Sequence, residues 1–199
     1  MTGQSLADVV IAKHKTHLIF DFDATLFLMH IPWNEWGEDI RDELLALDIE
    51  LWKRHQFKGG SGFQNKVVEA HGKRGLELML RHSPRFEMKH KEKFTRNEQL
   101  LKEIEKFKGT YHMFIWSSNS RQLVDSVLRQ NDMSDWFDKI VSRNDVQFLK
   151  PSDEGFAHIH DPRVPKGRYL LIGDSSHDRD AALDAGIDFY HTDFFNQGR

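Results

Sequence analysis

Four groups of polar residues in this 199-residue chain have types and positions suited to chemistry on an anionic substrate. Three directly follow a short apolar run, and one lies a loop further on. They are Asp21-Phe-Asp23-Ala-Thr25, Ser117-Ser118-Asn119-Ser120, Lys150-Pro151 and Gly173-Asp174-Ser-Ser-His-Asp178. Carboxylates brought together repel one another unless some are protonated or a cation lies among them. Oxygen ligands favour a hard ion, and a site that keeps open positions for a phosphate suits Mg²⁺.

The other polar residues in these groups have properties that a phosphoryl group requires. Lys150 adds a positive charge to a set rich in anions. The Ser118 hydroxyl and the Asn119 amide can donate hydrogen bonds to phosphoryl oxygens. The set predicts phosphoryl transfer with a carboxylate nucleophile. Taken singly, each acidic residue could be a helix cap, and Lys150 could be a solvated loop residue.

Five short apolar runs predict the strands that position these groups. Each is rich in Ile, Phe, Tyr or Val and bounded by turn or charged residues, which is typical of strands buried on both faces. The runs are His17–Phe22, Tyr111–Trp116, Lys139–Ser142, Tyr169–Gly173 and the weaker Ile187–Thr192.

Helical patterns alternate with these strands. They cover Asn97–Phe107, Arg121–Met133 after the N-cap Ser120, and Asp178–Ala185 before Gly186. Strand and helix in alternation predict a doubly wound α/β fold with a parallel sheet and right-handed crossovers. Ligands bind such sheets beyond the carboxyl ends of the strands, so the polar groups are expected at one rim.

One stretch interrupts the alternation. From about Leu28 to Phe94 there is no convincing strand, but helical spacing covers Glu35–His55 and Asn65–His82, with a Gly-rich loop at Lys58–Phe63 between them. We therefore expect an α/β core at 1–27 and 95–199 and a helical cap at 28–94. The cap is expected to swing on its two connections and bring the Gly-rich loop over the catalytic rim.

Aromatic and basic residues of the predicted cap allow two interpretations each. Trp33, Trp36 and Trp52 either line a pocket or, as the pattern favours, fill the core of a small helical bundle. Lys53, Arg54 and His55 either contact the distal group of the substrate or form an ordinary charged helix end.

Composition excludes several functional classes. There is no cysteine, which excludes disulfides, thiolate zinc sites and cysteine nucleophiles. The formal net charge of -3 argues against a dedicated nucleic-acid-binding protein. No apolar run approaches the roughly 18 residues of a membrane span, and the N-terminus has no apolar signal core. These features predict a soluble, cytoplasmic protein and leave its oligomeric state open.

The four groups, in this order, resemble the motifs of the haloacid dehalogenase (HAD) superfamily. The matching residues are Asp21-Phe-Asp23-Ala-Thr25-Leu26, Ser118-Asn119, Lys150-Pro151 and Gly173-Asp174-x-x-x-Asp178. The insert between the first two motifs resembles the helical cap of the phosphoglycolate phosphatase and beta-phosphoglucomutase group. The resemblance implies a Rossmann-like core and Mg²⁺-dependent hydrolysis of a small phosphorylated metabolite through a phospho-aspartate.

The resemblance also implies a role for each motif residue. Asp21 is the expected nucleophile, Asp23 the general acid and then base, and Lys150 the cation that neutralises Asp21 and the phosphate. Ser118 and Asn119 are expected to bind the phosphate, and Thr25 to fix the loop beside it. The expected metal ligands are Asp21, Asp23, which also offers its backbone carbonyl, Asp174 and Asp178, with nearby Asp180 as an alternative to Asp178.

Two departures and two alternatives accompany this assignment. Ala24 replaces the family's usual Gly, and because Ala demands a negative φ, the loop is expected to differ slightly. Ser117 is a second candidate for the phosphate-binding hydroxyl; Ser118 is preferred because the family pairs Ser or Thr directly with Asn. A phosphomutase would use the same residues. A non-catalytic phosphate-binding module would lack a motif residue, and none is missing.

Overall fold

The computed structural model describes residues 5–55 and 60–194, with the side chains of 54 and 55 excepted. The strands are β1 (His17–Phe20), β2 (Phe27–Met29), β3 (Phe94–Arg96), β4 (His112–Trp116), β5 (Lys139–Val141), β6 (Tyr169–Gly173) and β7 (Asp188–His191). The helices are α1 (Leu6–Ala12), α2 (Trp33–Leu47), α3 (Ile49–His55), α4 (Ser61–His90), α5 (Glu98–Glu105), α6 (Arg121–Gln130), α7 (Glu154–Ile159) and α8 (Ser176–Ala185).

Five strands form the predicted parallel sheet, in the order β5-β4-β1-β6-β7. From β1 the chain continues to β4 and β5 on one side of β1 in the strand order, and from β6 it continues to β7 on the other. The winding therefore reverses between β1 and β6. Ligands of doubly wound sheets bind at this reversal. The residues that follow β1 and β6 are therefore well placed for a ligand site.

Side-chain alternation along the central strand divides the core into two layers. Leu18 and Phe20 are fully buried on one face of the sheet, in the layer that also contains residues of α1, α5 and α6. Ile19, equally buried, points to the other face and belongs to the layer with residues of α7 and α8. Burial on both faces explains why β1 is a continuous apolar run rather than an alternating one.

Two predicted helix boundaries, the start of α6 and the end of α8, agree with local capping chemistry. Ser120 caps α6 by accepting a hydrogen bond from the Leu123 N–H at 3.3 Å. Gly186 ends α8 in the left-handed conformation, at φ 70°. The short helices α1 and α7 were not predicted, since at seven and six residues each is too short to show a helical period.

The predicted absence of strands between Leu28 and Phe94 is wrong at its two ends. β2 and β3 pair antiparallel, with Phe27 opposite Arg96 and Met29 opposite Phe94. Three residues are too few to show a strand period, so only their pairing reveals them. The chain thus enters and leaves the helical insert, which we define as residues 33–90, at adjacent points.

The two predicted helices of the insert also differ from the structure. The segment Glu35–His55 divides at Asp48, whose backbone is extended and whose carboxylate caps α3 by accepting from the Leu51 N–H at 2.8 Å. The second helix extends well beyond Asn65–His82, and Gly72 breaks its backbone regularity at φ 53°. Lys58 and Gly59 of the predicted loop lie outside the described residues. No helix in the described ranges is long and apolar enough to cross a membrane.

Candidate active site

A cavity of about 320 Å³ opens at the carboxyl ends of β1, β4 and β6, between the sheet and the insert. Its lining includes all but one of the predicted site residues: Asp21, Asp23, Ser118, Asn119, Lys150, Asp174 and Asp178. Thr25 is the exception among the residues described. It is fully buried behind the wall, where its hydroxyl lies 3.4 Å from the Asp174 carboxylate. The expected role of Thr25 in fixing the loop stays a prediction.

Lys150 is buried and connects two of the carboxylates. Its ammonium group donates to Asp21 Oδ1 at 2.6 Å, to the Trp116 carbonyl at 2.9 Å and to Asp178 Oδ1. An ammonium has three N–H donors, so all of them are used. Although burial opposes it, the Asp178 and Asp21 carboxylates raise the pKa of Lys150. The side chain therefore stays charged at neutral pH.

Asp21 extends β1 by one residue, and its N–H donates to the Ile172 carbonyl of β6 at 2.9 Å. Burial raises the pKa of the Asp21 carboxyl to about 8; the charge of Lys150 opposes this rise, while Asp178 and Asp174 add to it. A cation among these carboxylates would favour the ionised form, which is the form able to attack phosphorus.

Asp178 is held by the start of α8. Its carboxylate accepts from the Ser175 N–H at 3.1 Å, and Ser175 Oγ accepts from the Asp178 N–H at 3.2 Å. Against the effect of burial, Lys150 and Ser175 hold the pKa of Asp178 below its ordinary value. A Cβ at Gly173 would lie 2.6 Å from Asp178 Cγ, so a glycine is needed where β6 ends.

Three carboxylates come close enough to share a cation. Asp21, Asp174 and Asp178 each offer an oxygen within 4.8 Å of the others. Burial, with the Asp178 charge, raises the pKa of Asp174. All-oxygen donors of this kind fit a hard divalent ion. Within the described ranges the Asp23 carboxyl is not part of this group, and its Oδ1 accepts instead from the Met29 N–H at 2.8 Å.

The turn that carries Asp23 corrects one expectation from the sequence. Ala24 adopts φ 61°, so the alanine does not impose a negative φ and the turn keeps a left-handed residue. The Ala24 N–H donates to the Phe27 carbonyl at 2.6 Å, which holds this conformation despite a cost of about 1–2 kcal/mol. Burial raises the pKa of Asp23 to about 7, against the Met29 hydrogen bond.

The loop after β4 distinguishes its two serines. Ser117 is buried, donates to Asn119 Oδ1 at 3.1 Å and accepts from the Asn119 N–H at 3.0 Å. Ser118 is half-buried and lines the cavity. The geometry favours Ser118 as the residue that meets a ligand, with Ser117 fixing the loop; the role of Ser118 itself stays a prediction.

Residues 18–192 match the family model of haloacid dehalogenase-like hydrolases. The chain belongs to this family.

Solved structures resemble this hydrolase at the level of the fold. A haloacid dehalogenase-like hydrolase of Bacteroides fragilis has a TM-score of 0.62 at 22% identity, over 89% of this chain and 87% of the other. CbbY of Rhodobacter sphaeroides, in complex with phosphate, has a TM-score of 0.60 at 18% identity, over 93% of this chain and 90% of the other. YfnB of Bacillus subtilis, bound to magnesium, has a TM-score of 0.52 at 17% identity, over 88% of this chain and 85% of the other. A search of curated protein sequences found no matching relative.

The hydrolase also contains a buried polar group that sequence reasoning missed. Glu87 of α4 accepts from the Ser120 N–H at 2.8 Å and from Asn119 Nδ2 at 3.5 Å. Arg143, which lines the cavity, forms an ion pair with Glu87 at 3.5 Å and donates to Gln64 Oε1. Arg143 comes shortly after β5, at the end of a predicted strand, and that position was a usable signal. Nothing local marks Glu87.

The insert residues considered from the sequence lie in different surroundings. Trp36 is fully buried, as expected of a bundle core, whereas half-buried Trp33 lines the cavity. Lys53 is exposed, pairs with Glu50 at 3.3 Å and is not part of the described cavity lining. The side chains of Arg54 and His55 lie outside the described structure, so their possible contact with substrate stays untested.

Proposed function

We propose that this hydrolase removes phosphate from a small phosphate monoester through a phospho-aspartate on Asp21, with Mg²⁺ as cofactor. The observation that carries the proposal is the buried contact of 2.6 Å between the Lys150 ammonium and Asp21, beside two further carboxylates in an open cavity. Attack on an anionic phosphorus requires an oriented carboxylate nucleophile and a fixed cation that offsets the negative charge.

The first step transfers the phosphoryl group to Asp21. An oxygen of the Asp21 carboxylate forms a bond to phosphorus, and the bond from phosphorus to the ester oxygen breaks. The Asp23 carboxyl gives its proton to the departing oxygen, which leaves as an alcohol. A pKa of about 7 suits this role, because a proton donor and acceptor works best near the ambient pH.

The second step regenerates the enzyme. The Asp23 carboxylate accepts a proton from water as the water oxygen bonds to phosphorus. The bond between phosphorus and Asp21 breaks, so inorganic phosphate leaves and Asp21 is again a carboxylate. Throughout, Ser118 and Asn119 would donate hydrogen bonds to the phosphoryl oxygens, and Lys150 would offset their charge.

The expected ligands of Mg²⁺ are Asp21, Asp174, Asp178 and the Asp23 backbone carbonyl. When bound, the ion supplies positive charge to the phosphoryl oxygens. The donor set supports this assignment, as do the magnesium in YfnB and the phosphate in CbbY, two proteins of similar fold.

A phosphate-release assay over sugar phosphates, nucleotides and phosphoglycolate, with Mg²⁺ or excess chelator, tests the proposal. We expect turnover only with Mg²⁺. Asp21→Asn should reduce it to background, since an amide does not attack phosphorus. Asp180→Asn is the matched control, because Asp180 of α8 pairs with Arg179 at the surface. Turnover in chelator would exclude the metal, and substantial activity of Asp21→Asn would exclude this nucleophile.

A further inference from the structure

A buried ion pair joins the insert to the core beside the cavity. Arg143 lines the cavity and is 4% exposed, while Glu87 lies behind it in α4 and is 0% exposed. One carboxylate oxygen of Glu87 is 3.5 Å from a terminal nitrogen of Arg143. The pair therefore lies close enough to a bound substrate for its net charge to matter.

Burial raises the pKa of the Glu87 carboxyl, and Arg143, Ser120 and Asn119 oppose this rise, so these partners favour the ionised form. The Glu87 oxygens face the Ser120 N–H, the Asn119 side-chain amide and the Arg143 guanidinium, all of which donate. A neutral carboxyl would instead need an acceptor for its own proton. With Glu87 ionised, the charge of Arg143 is balanced inside the protein.

Arg143 nevertheless keeps a donor that the protein does not use. One terminal nitrogen donates to Gln64 Oε1 and another faces Glu87, but the Nε–H is buried without a partner among the described residues. A guanidinium has five N–H donors, so further donors on the terminal nitrogens remain for a ligand oxygen where Arg143 lines the cavity. The residue thus offers hydrogen bonding without net charge.

The rest of the described lining disfavours a second anion. Four carboxylates and one other cation, Lys150, line the cavity, and Lys150 is already bound to two of those carboxylates. The positive charge of a bound divalent ion would be balanced by the phosphate group of the substrate. Leu28, Met29 and Trp33 add apolar surface to the described lining.

We propose that Glu87, by neutralising Arg143, selects phosphate monoesters whose leaving group is uncharged and carries a hydroxyl or carbonyl oxygen, and rejects those with a second anionic group. This inference rests on the proposed function, since it names the substrate class of the same site.

Two esters that differ in one group provide the test: glycerol 3-phosphate carries CH₂OH where 3-phosphoglycerate carries a carboxylate. Their dissociation constants are measured by calorimetry with Mg²⁺ in the Asp21→Asn protein, and turnover by the parent is measured separately. We expect tighter binding of glycerol 3-phosphate. Equal binding, tighter binding of 3-phosphoglycerate, or binding of neither ester by the Asp21→Asn protein would overturn the inference without any further variant.

Isosteric variants that remove the charge of Glu87 or of Arg143 then test the role of the pair. Glu87→Gln should shift the binding ratio toward 3-phosphoglycerate by on the order of tenfold, because it leaves Arg143 uncompensated. Arg143→Gln should shift it the other way, and the double variant should return it close to the Asp21→Asn value. Glu43→Gln, which unpairs Arg81 elsewhere on the insert, is the control and should leave the ratio unchanged.

The outcomes separate the two proposals. A structural role of Glu87 would change the binding of both esters in parallel, and an unchanged ratio in all folded variants contradicts the selectivity. Predicted ratios without phosphate release by the parent on any ester would instead contradict the proposed hydrolysis and retain the selectivity of the site.

Discussion

Lys150 determines the charge state of its surroundings more than any other residue of the site. It is buried, and its removal would leave Asp21 and Asp178 as adjacent unpaired carboxylates. Breaking a buried ion pair from one side typically costs 3–5 kcal/mol, because the remaining charge stays desolvated. The residue that we propose to support catalysis is therefore also expected to contribute to stability.

We expect Lys150→Met to lower kcat by roughly a hundredfold or more and to weaken vanadate binding. We also expect the free energy of unfolding to fall by about 3 kcal/mol. Kinetics, vanadate inhibition and urea denaturation measure these effects. Lys102→Met, at an exposed position of α5, is the control. Unaltered vanadate affinity would show that Lys150 has a structural role only.

In the proposed mechanism, the protonation of Asp23 determines how kcat/KM depends on pH. The pKa of this carboxyl is raised to about 7, so the proton that it must donate is present below that pH and lost above it. For an ester with an alcohol leaving group, kcat/KM should fall about tenfold per pH unit above the pKa. For p-nitrophenyl phosphate, whose leaving group needs no proton, the fall should be absent. A fall that persists in Asp23→Asn would assign the titration to another group.

At the scale of elements, the turn from β1 to β2 contains a removable strain. Ala24 at φ 61° adopts the left-handed conformation at a cost of about 1–2 kcal/mol. Glycine avoids this cost, but the larger conformational entropy of its unfolded chain lowers stability by about 0.4–1 kcal/mol. We expect Ala24→Gly to raise the free energy of unfolding by about 0.5–1 kcal/mol, measured in urea. Ala46→Gly within α2 should lower it by about 1 kcal/mol. Destabilisation by Ala24→Gly would contradict the strain.

The elements that could be predicted are those whose signal is local. β1 and β6 are continuous apolar runs because both faces are buried, and a parallel sheet then brings Asp21 and Asp174 to one rim. β2 and β3 are too short for a pattern and depend on pairing across the whole insert. Glu87 was missed for the same reason: its meaning depends on Asn119 and Arg143, which only the folded chain brings near.

At the scale of the whole molecule, the insert contacts the core beside the cavity through polar groups. Asn65 exchanges two hydrogen bonds of 2.8 Å with the Leu149 backbone, and Ser61 lies 3.5 Å from His177. Water can replace such contacts at modest cost. The buried contacts of Glu87 with Arg143 and Ser120 also join the insert to the core and would resist opening, so the swing on the connections near β2 and β3 stays a prediction.

The absence of cysteine makes that motion measurable, because introduced cysteines would be the only labelling sites. Spin labels at Glu69 of the insert and Arg129 of the core, both exposed, report their separation by electron paramagnetic resonance. We expect a broad distance distribution in the free protein and a narrow one with Mg²⁺ and fluoroberyllate. A control pair at Lys102 and Arg129 should not change. Identical distributions in both states would contradict the motion.

The pairing of β2 with β3 has a consequence for how new specificities arise in such a molecule. Met29 lies opposite Phe94, so the polypeptide leaves and re-enters the catalytic body within the roughly 5 Å that separates paired strand residues. A segment attached in this way can be lengthened, shortened or exchanged as one block without displacing Asp21 or Asp174. Recombination at this junction can therefore vary what the enzyme recognises while the residues after β1 and β6 are inherited, provided that the new block replaces the contacts of Glu87 with Asn119 and Ser120.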